Sequence, residues 1–248
     1  RRIDWRILGG DMAFAAVAVV LGVSGAPLGQ EAMFLIALAV ILAMARLVMA
    51  ELDRSVAIRI AAAAGMIFAF RAAPTLGDGY RWFLIDRHGF DERFFGVLQV
   101  TGTGIGLGAM WLLTDTVMRR SVTTVLVALT SVAALLWVPS LLLVTEGHLW
   151  TARVLGLGPR SIALFDEAAQ TPLALLAQVP LLTLIAVHAP AGARATWFAL
   201  TASLMSLAIV ASQLFTKYLN LAFPIERGQY DSLGHLVSGV LALSIGLP

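Results

Sequence analysis

Asp166 and Glu167 stand side by side inside an apolar run, and four residues beyond each comes a polar partner, Gln170 and Thr171. An ionisable side chain at membrane depth costs about 2.5 to 3.5 kcal/mol even on the lenient insertion scale, so such groups serve a pathway, a pairing or a proton relay. At about 100° per residue Gln170, Leu173 and Ala177 share the helix face of Asp166, while Glu167, Thr171 and Gln178 form the adjoining one. Two kinds of chemistry are open to this polar stripe: uptake of a coupling proton by a carboxylate, or hydrogen bonding to a polar solute ring. The structural alternative is that both acids sit wet at the membrane interface. Pro172 and Pro180 lie in the same run, and each removes a backbone hydrogen bond and favours a kink.

A second cluster of small and polar residues begins a run near residue 94: Gln99, Thr101, Gly102, Thr103, Gly104, Gly106 and Gly108. Gly102 with Gly106, and Gly104 with Gly108, are overlapping pairs of the kind that let helix backbones approach closely in lipid. Gln99, Thr103, Gly106 and Met110 share a face suited to lining a pathway. No Gly-Lys-Ser or Gly-Lys-Thr follows, so this is not a phosphate-binding loop. Small residues of a later run, Ala199, Ser203 and Ser206, suit packing.

The elements that carry these residues are read from composition and run length. Of the 248 residues, 59% are hydrophobic and 13% charged, against about 45 to 50% and about 25% in a soluble domain. Eight apolar stretches are predicted, at about 12–28, 31–50, 56–76, 94–113, 121–144, 159–188, 195–215 and 232–247. A helix needs about 20 residues to cross the hydrocarbon, and the runs lack the alternation of a barrel. The expected fold is therefore all-α, a polytopic transmembrane helical bundle of about eight spans. Two longer links, 77–93 and 216–231, read as partly ordered surface loops, with Tyr80, Trp82, Trp150 and Tyr230 as interfacial aromatics. Arginines at 1, 2, 6, 46, 54, 59, 119, 120 and 194 mark one face as cytoplasmic, against Arg81, Arg87, Arg93, Arg153, Lys217 and Arg227 on the other.

Several function classes drop out. The net charge of +2 is small and the basic residues are scattered, so no nucleic-acid partner is expected. The chain has no cysteine, and its histidines (His88, His148, His188, His235) show no metal-ligand spacing, so no metal and no cofactor are expected. No nucleophile with a nearby base stands out, and an enzyme is not expected. The chain opens Arg1-Arg2-Ile3 without initiator methionine or secretory signal, which reads as a fragment whose first helix follows helices of the same protein that are missing here.

The stretch SIALFDEAAQTPLALLAQVPLLTLIAVHAPAGARATWFALTASL resembles the tenth and eleventh helices of the folate-biopterin transporter family, a branch of the major facilitator superfamily. The matching positions are Asp166, Pro180 to Leu182, Pro190, Gly192, Ala195, Thr196, Phe198, Ala199 and Leu200. A second resemblance lies in APTLGDGYRWFLIDRHGFDERFFGVLQVTG, through Ala73, Pro74, Thr75, Tyr80, Phe83, Gly89, Phe90, Phe95 and Gly96. It is strongest from residue 56 onward. Where the family usually has an acid before the Ala-Thr, this chain has Arg194, and Asp115, Arg119 and Arg120 are similar to a degenerate form of the superfamily's cytoplasmic loop motif.

The resemblance implies a division into residues 1–55, two helices ending a truncated N-terminal half, and 56–248, a C-terminal six-helix half. It implies helices seven and ten lining a central cavity, where Arg71 and Asp166 are expected to pair or to share an anionic solute. The candidate substrate-binding or coupling residues are thus Asp166, Arg71, Glu167, Gln170, Gln99 and Thr103. The function implied is secondary active transport of a small organic solute, folate- or pterin-like, by alternating access with proton coupling, in the lipid bilayer of a bacterial cytoplasmic membrane. The competing reading is a non-transporting membrane protein that assists assembly of pigment or membrane complexes.

Overall fold

The computed structural model describes residue 19 and residues 28–50, 52–187, 189 and 194–246. Among the described residues there are ten helices and no strand, with one isolated bridge at the Glu226–Gln229 turn. The helices are α1 (Gly29–Met49), α2 (Arg54–Arg71), α3 (Gly77–His88), α4 (Glu92–Met118), α5 (Val122–Leu135), α6 (Trp137–Val144), α7 (Gly147–Leu155), α8 (Pro159–Val187), α9 (Arg194–Ala222) and α10 (Leu233–Gly246).

Five are long and apolar enough to cross a membrane: α1, α4, the stretch Val127–Val144 that joins α5 to α6, α8 and α9. The chain is an all-α membrane helical bundle. The expected span at 56–76 appears as α2, whose Arg54, Arg59 and Arg71 make it less apolar, and the span at 232–247 as the shorter α10. The first expected span, 12–28, lies outside the described residues apart from its last residue and Val19.

Local sequence explains where helices start and stop. The Asp91 carboxylate accepts from the Phe94 N–H at 3.0 Å and the Ser121 hydroxyl from the Thr124 N–H at 3.2 Å, so α4 and α5 open on ordinary N-caps. Glycine at position 89 takes φ 63°, a conformation open to glycine without strain, and closes α3 through a bond from its N–H to the Ile85 carbonyl at 3.0 Å. Between α5 and α6 the helix is interrupted at Leu136, three residues before Pro139, whose ring nitrogen has no hydrogen to return to the preceding turn.

The link 77–93, expected as a loop, is mostly the helix α3. Its mixed charges hide an apolar side, and it is fixed by neighbours rather than by periodicity: Phe83 and Leu84 join a core with Phe90, Phe94, Leu143, Leu233, Leu236 and Val240. Tyr230, expected at the interface, is buried in that core, whereas Trp82 and Trp150 are exposed. A second core sets Ile60 and Ile67 of α2 against Leu181, Ile185 and Trp197.

The helix ends also place Arg71 and Arg160 on the α3 face. These two narrow the cationic margin behind the expected orientation without reversing it.

Candidate functional site

α8 is the element that positions the candidate site, and its closest neighbour is α4. Phe94, Leu98, Gly102 and Gly106 form the buried stripe of α4, and a Cβ placed on Gly102 would come within 2.6 Å of Glu167 Oε1 and 2.8 Å of Thr171 Oγ1. One at Gly106 would meet Leu175 Cδ1 at 2.7 Å. The Gly102–Gly106 pair is thus a groove that receives the polar side of α8, while nothing lies within 4 Å of a Cβ at Gly104 or Gly108. In that groove the Thr171 hydroxyl donates to Glu167 Oε1 at 2.6 Å.

Asp166 turns the other way, toward α6. Both of its oxygens are engaged: the Gln170 amide donates to Oδ1 at 2.5 Å, and the Ser140 hydroxyl donates to Oδ2 at 3.3 Å. The same Gln170 amide reaches the Leu136 carbonyl at 3.4 Å, in the interruption upstream of Pro139. Ser140 is only 2% exposed, so its hydroxyl must find a partner inside the protein, and Asp166 supplies it. Tyr80 stands at the edge of this cluster. Burial pushes its phenol up to about 12, with the Ser140 hydroxyl acting against that shift and the negative charge of Asp166 adding to it.

Two hollows flank the cluster. One, of about 230 Å³, is lined by Phe70, Thr130, Trp137, Gln170 and Ser244 among others. The other, of about 570 Å³, lies between α3 and α4 and is lined by Tyr80, Arg81, Glu92, Phe95 and Gln99.

The six residues named from the sequence are therefore distributed unevenly. Asp166 and Gln170 are bonded to each other, and Glu167 is their neighbour on the α4 side. Gln99 is exposed in the α3–α4 recess and Thr103 is exposed farther along α4, while Gly106 is buried against α8, so the expected shared face of Gln99, Thr103 and Gly106 is split. Arg71 forms no ion pair with Asp166; its Nε is buried and has no hydrogen-bond partner among the described residues. The Asp166 carboxylate turns instead to Gln170 and Ser140. Asp115, Arg119 and Arg120 are exposed and make no ion pair among the described residues.

Sequence reasoning missed Ser140, whose signal was its position directly after a proline in an apolar run. It also missed Glu31 of α1, which takes Lys217 Nζ at 2.6 Å and the Tyr218 hydroxyl at 2.9 Å, tying α1 to α9.

A helical bundle with acids held between its membrane-spanning segments defines a class of polytopic membrane protein. A family model described as BT1 family matches residues 29–248, and the chain belongs to that family. It is similar to a protein of Synechocystis sp. (strain ATCC 27184 / PCC 6803 / Kazusa) named folate-biopterin transporter, with 28% identity over 171 residues, 69% of this chain and 34% of that protein. The chain spans about a third of the length of this curated relative. No solved structure matches.

Proposed function

We propose that this chain is part of a secondary carrier that moves a small organic solute, folate- or pterin-like, across a bacterial cytoplasmic membrane by alternating access. The observation that carries the reading is the Asp166 carboxylate, held by Gln170 and Ser140 beside a hollow walled by Phe70 and Trp137. A flat heterocycle with adjacent N–H donors is complementary to a carboxylate on its edge and to aromatic side chains on its faces. Membership of the BT1 family and the name of the Synechocystis relative support a membrane transporter, and that name suggests this class of cargo.

In this reading residues 56–248 form the C-terminal six-helix half, and the helices before them end the N-terminal half. The solute exchanges places with Gln170 or Ser140 at Asp166, and Glu167, whose Oε1 accepts from the Thr171 hydroxyl, carries the coupling proton. A gradient supplies the energy and no covalent chemistry is performed on the solute.

The test is uptake of radiolabelled folate and of biopterin by cells expressing the intact protein. Saturable uptake abolished by Asp166→Asn, with Glu167→Gln retaining exchange but losing pH-driven accumulation, is the expected result. Membrane-inserted protein that supports no saturable uptake of either compound would overturn the reading and favour a non-transporting role in assembly.

A further inference from the structure

Away from Asp166, α3 and α7 meet through two imidazoles. The rings of His88 and His148 lie edge to face with centroids 4.7 Å apart, although 60 positions separate them in the chain. His88 packs edge-on against Phe83 at 5.1 Å and beside Phe90 at 6.0 Å, and its Nε2 lies 3.3 Å from the Leu143 carbonyl. A bond there requires the proton on Nε2, because a carbonyl only accepts. His148 Nδ1 is buried and has no hydrogen-bond partner among the described residues. This contact is built for two neutral rings.

The charged groups on the surrounding elements do not offset a charge on the pair. On α3, Asp86 is committed to Tyr230 and Arg227, at 2.5 and 3.3 Å, and Arg87 is exposed. The segment leading into α4 carries Asp91, whose Oδ1 caps that helix, followed by Glu92 and Arg93, both exposed. α6 carries no ionisable side chain. The α7 segment carries Glu146 and Arg153, both exposed, and α8 brings the cation of Arg160 to the Gly89 carbonyl at 3.3 Å. α10 has His235, which stacks on Phe223. Among the described residues neither imidazole has a carboxylate partner.

We propose that His88 and His148 form an acid-released latch that docks the C-terminal end of α3 onto the corner between α6 and α7. When the rings are neutral the edge-to-face contact holds; a proton on the part-buried His88 sets a cation against the His148 ring, opposed by the Leu143 carbonyl that accepts from Nε2–H in either state, and α3 lets go. The direction follows from linkage. Burial first, then the neighbouring His148, depress His88 below the usual imidazole value, so the docked state binds a proton less readily than the undocked one. Docking is complete above about pH 6.5 and weakens below it by up to about tenfold per pH unit through His88, until the docked form protonates too. The Asp86 bonds to Tyr230 and Arg227, and the close approach of Gly77 and Gly79 to Thr216, Asn220 and Ile225, tie the α9–α10 side of α3 and act as the pivot, while Phe83 and Leu84 keep their place in the core.

These 248 residues hold no cysteine; with any cysteine elsewhere in the intact protein replaced by serine, spin labels at Arg87→Cys and Ala152→Cys report one α3–α7 distance in liposomes. Double electron–electron resonance should show a single short distance at about pH 8 and a growing longer-distance population toward about pH 5. In the same background, His88→Gln with His148→Gln should remove that pH dependence. An unchanged distribution across this range in the labelled protein with both histidines overturns the latch. So does an equal shift with and without the histidines. The readout needs no solute, so its failure is separable from failure of the transport reading.

Discussion

Gly102 and Gly104 are two positions apart on α4, and the structure gives them opposite tolerance for a methyl group. At Gly102 the added Cβ would stand 2.6 Å from Glu167 Oε1 and 2.8 Å from both Glu167 Cγ and Thr171 Oγ1, so the carboxylate must move and its bond to Thr171 is lost or lengthened. Overpacking of this kind costs about 1 to 3 kcal/mol. Replacing glycine by alanine inside a helix returns about 1 kcal/mol, so Gly102→Ala should fall between break-even and about 2 kcal/mol destabilising. At Gly104 nothing lies within 4 Å, so Gly104→Ala keeps the helix gain and should stabilise by about 1 kcal/mol. The two variants then differ by about 1 to 3 kcal/mol, or about 2 to 12 °C in melting midpoint for a chain of this size. The assay is thermal unfolding of purified protein in detergent, followed by tryptophan fluorescence. Adding Glu167→Ala to Gly102→Ala should recover at least about 0.5 kcal/mol, because the new methyl then occupies vacated space. Equal midpoints for Gly102→Ala and Gly104→Ala, or no recovery in the double variant, would refute the assignment of the packed face of α4.

Trp197 donates its indole N–H to the Ile185 carbonyl at 2.8 Å, satisfying one of the free carbonyls at the end of α8; Trp197→Phe should cost about 1 to 3 kcal/mol by leaving that buried acceptor unpaired, read as a lowered midpoint in the same melt. The Tyr230 hydroxyl bond, and secondarily Arg227, hold Asp86 below the usual carboxylate range. This stabilisation is present above about pH 3.9 and is lost as pH falls through the depressed value, so Tyr230→Phe should flatten the acid limb of a stability–pH curve measured with Asp86 intact. Glu31→Gln should weaken the Lys217 and Tyr218 ties of α1 to α9, detected as faster proteolysis of α1 in membranes, whereas Lys217→Arg should preserve the pairing.

What was legible in the sequence was what depends on local chemistry. The long apolar runs from residue 29 onward, the kinship of Asp166 with Gln170 and of Glu167 with Thr171, and the Gly102–Gly106 groove on α4 follow from helix periodicity, and the structure contains them as helices, five of them long enough to span. What depends on distant neighbours was not legible. α3 reads as a loop because Asp78, Arg81, Asp86, Arg87 and His88 interrupt its pattern, and its helical state is decided by Phe83, Leu84 and Phe90 packing on α6 and α10. The pairing of Arg71 with Asp166 rested on the two helices that the resemblance sets around a cavity and on the similar depth of the two residues. Depth places two residues in one layer and says nothing about azimuth, and Asp166 turns instead to Ser140, on the helix broken near Pro139. No local pattern near His88 or His148 could reveal that they touch.

The two acids of α8 show why polar residues in a membrane bundle constrain their neighbours' sequences as strongly as their own. A complete α-helix has no backbone donor or acceptor to offer sideways along its middle, so a half-buried carboxylate packed against it is met in one of two ways. α4 meets Glu167 by being stripped: with glycine at 102 and 106 its backbone recedes, and the Glu167–Thr171 pair fits into the groove. The α5–α6 span meets Asp166 by being interrupted: near Pro139 the helix exposes the Leu136 carbonyl to Gln170 and presents Ser140 to the carboxylate. Adjacent positions on one helix thus demand a narrow neighbour on one side and a broken one on the other. That pair of demands accounts for glycine at 102 and 106 and for the Pro139-Ser140 pair better than hydrophobicity does, since an unbroken leucine helix would serve lipid contact equally well at both places.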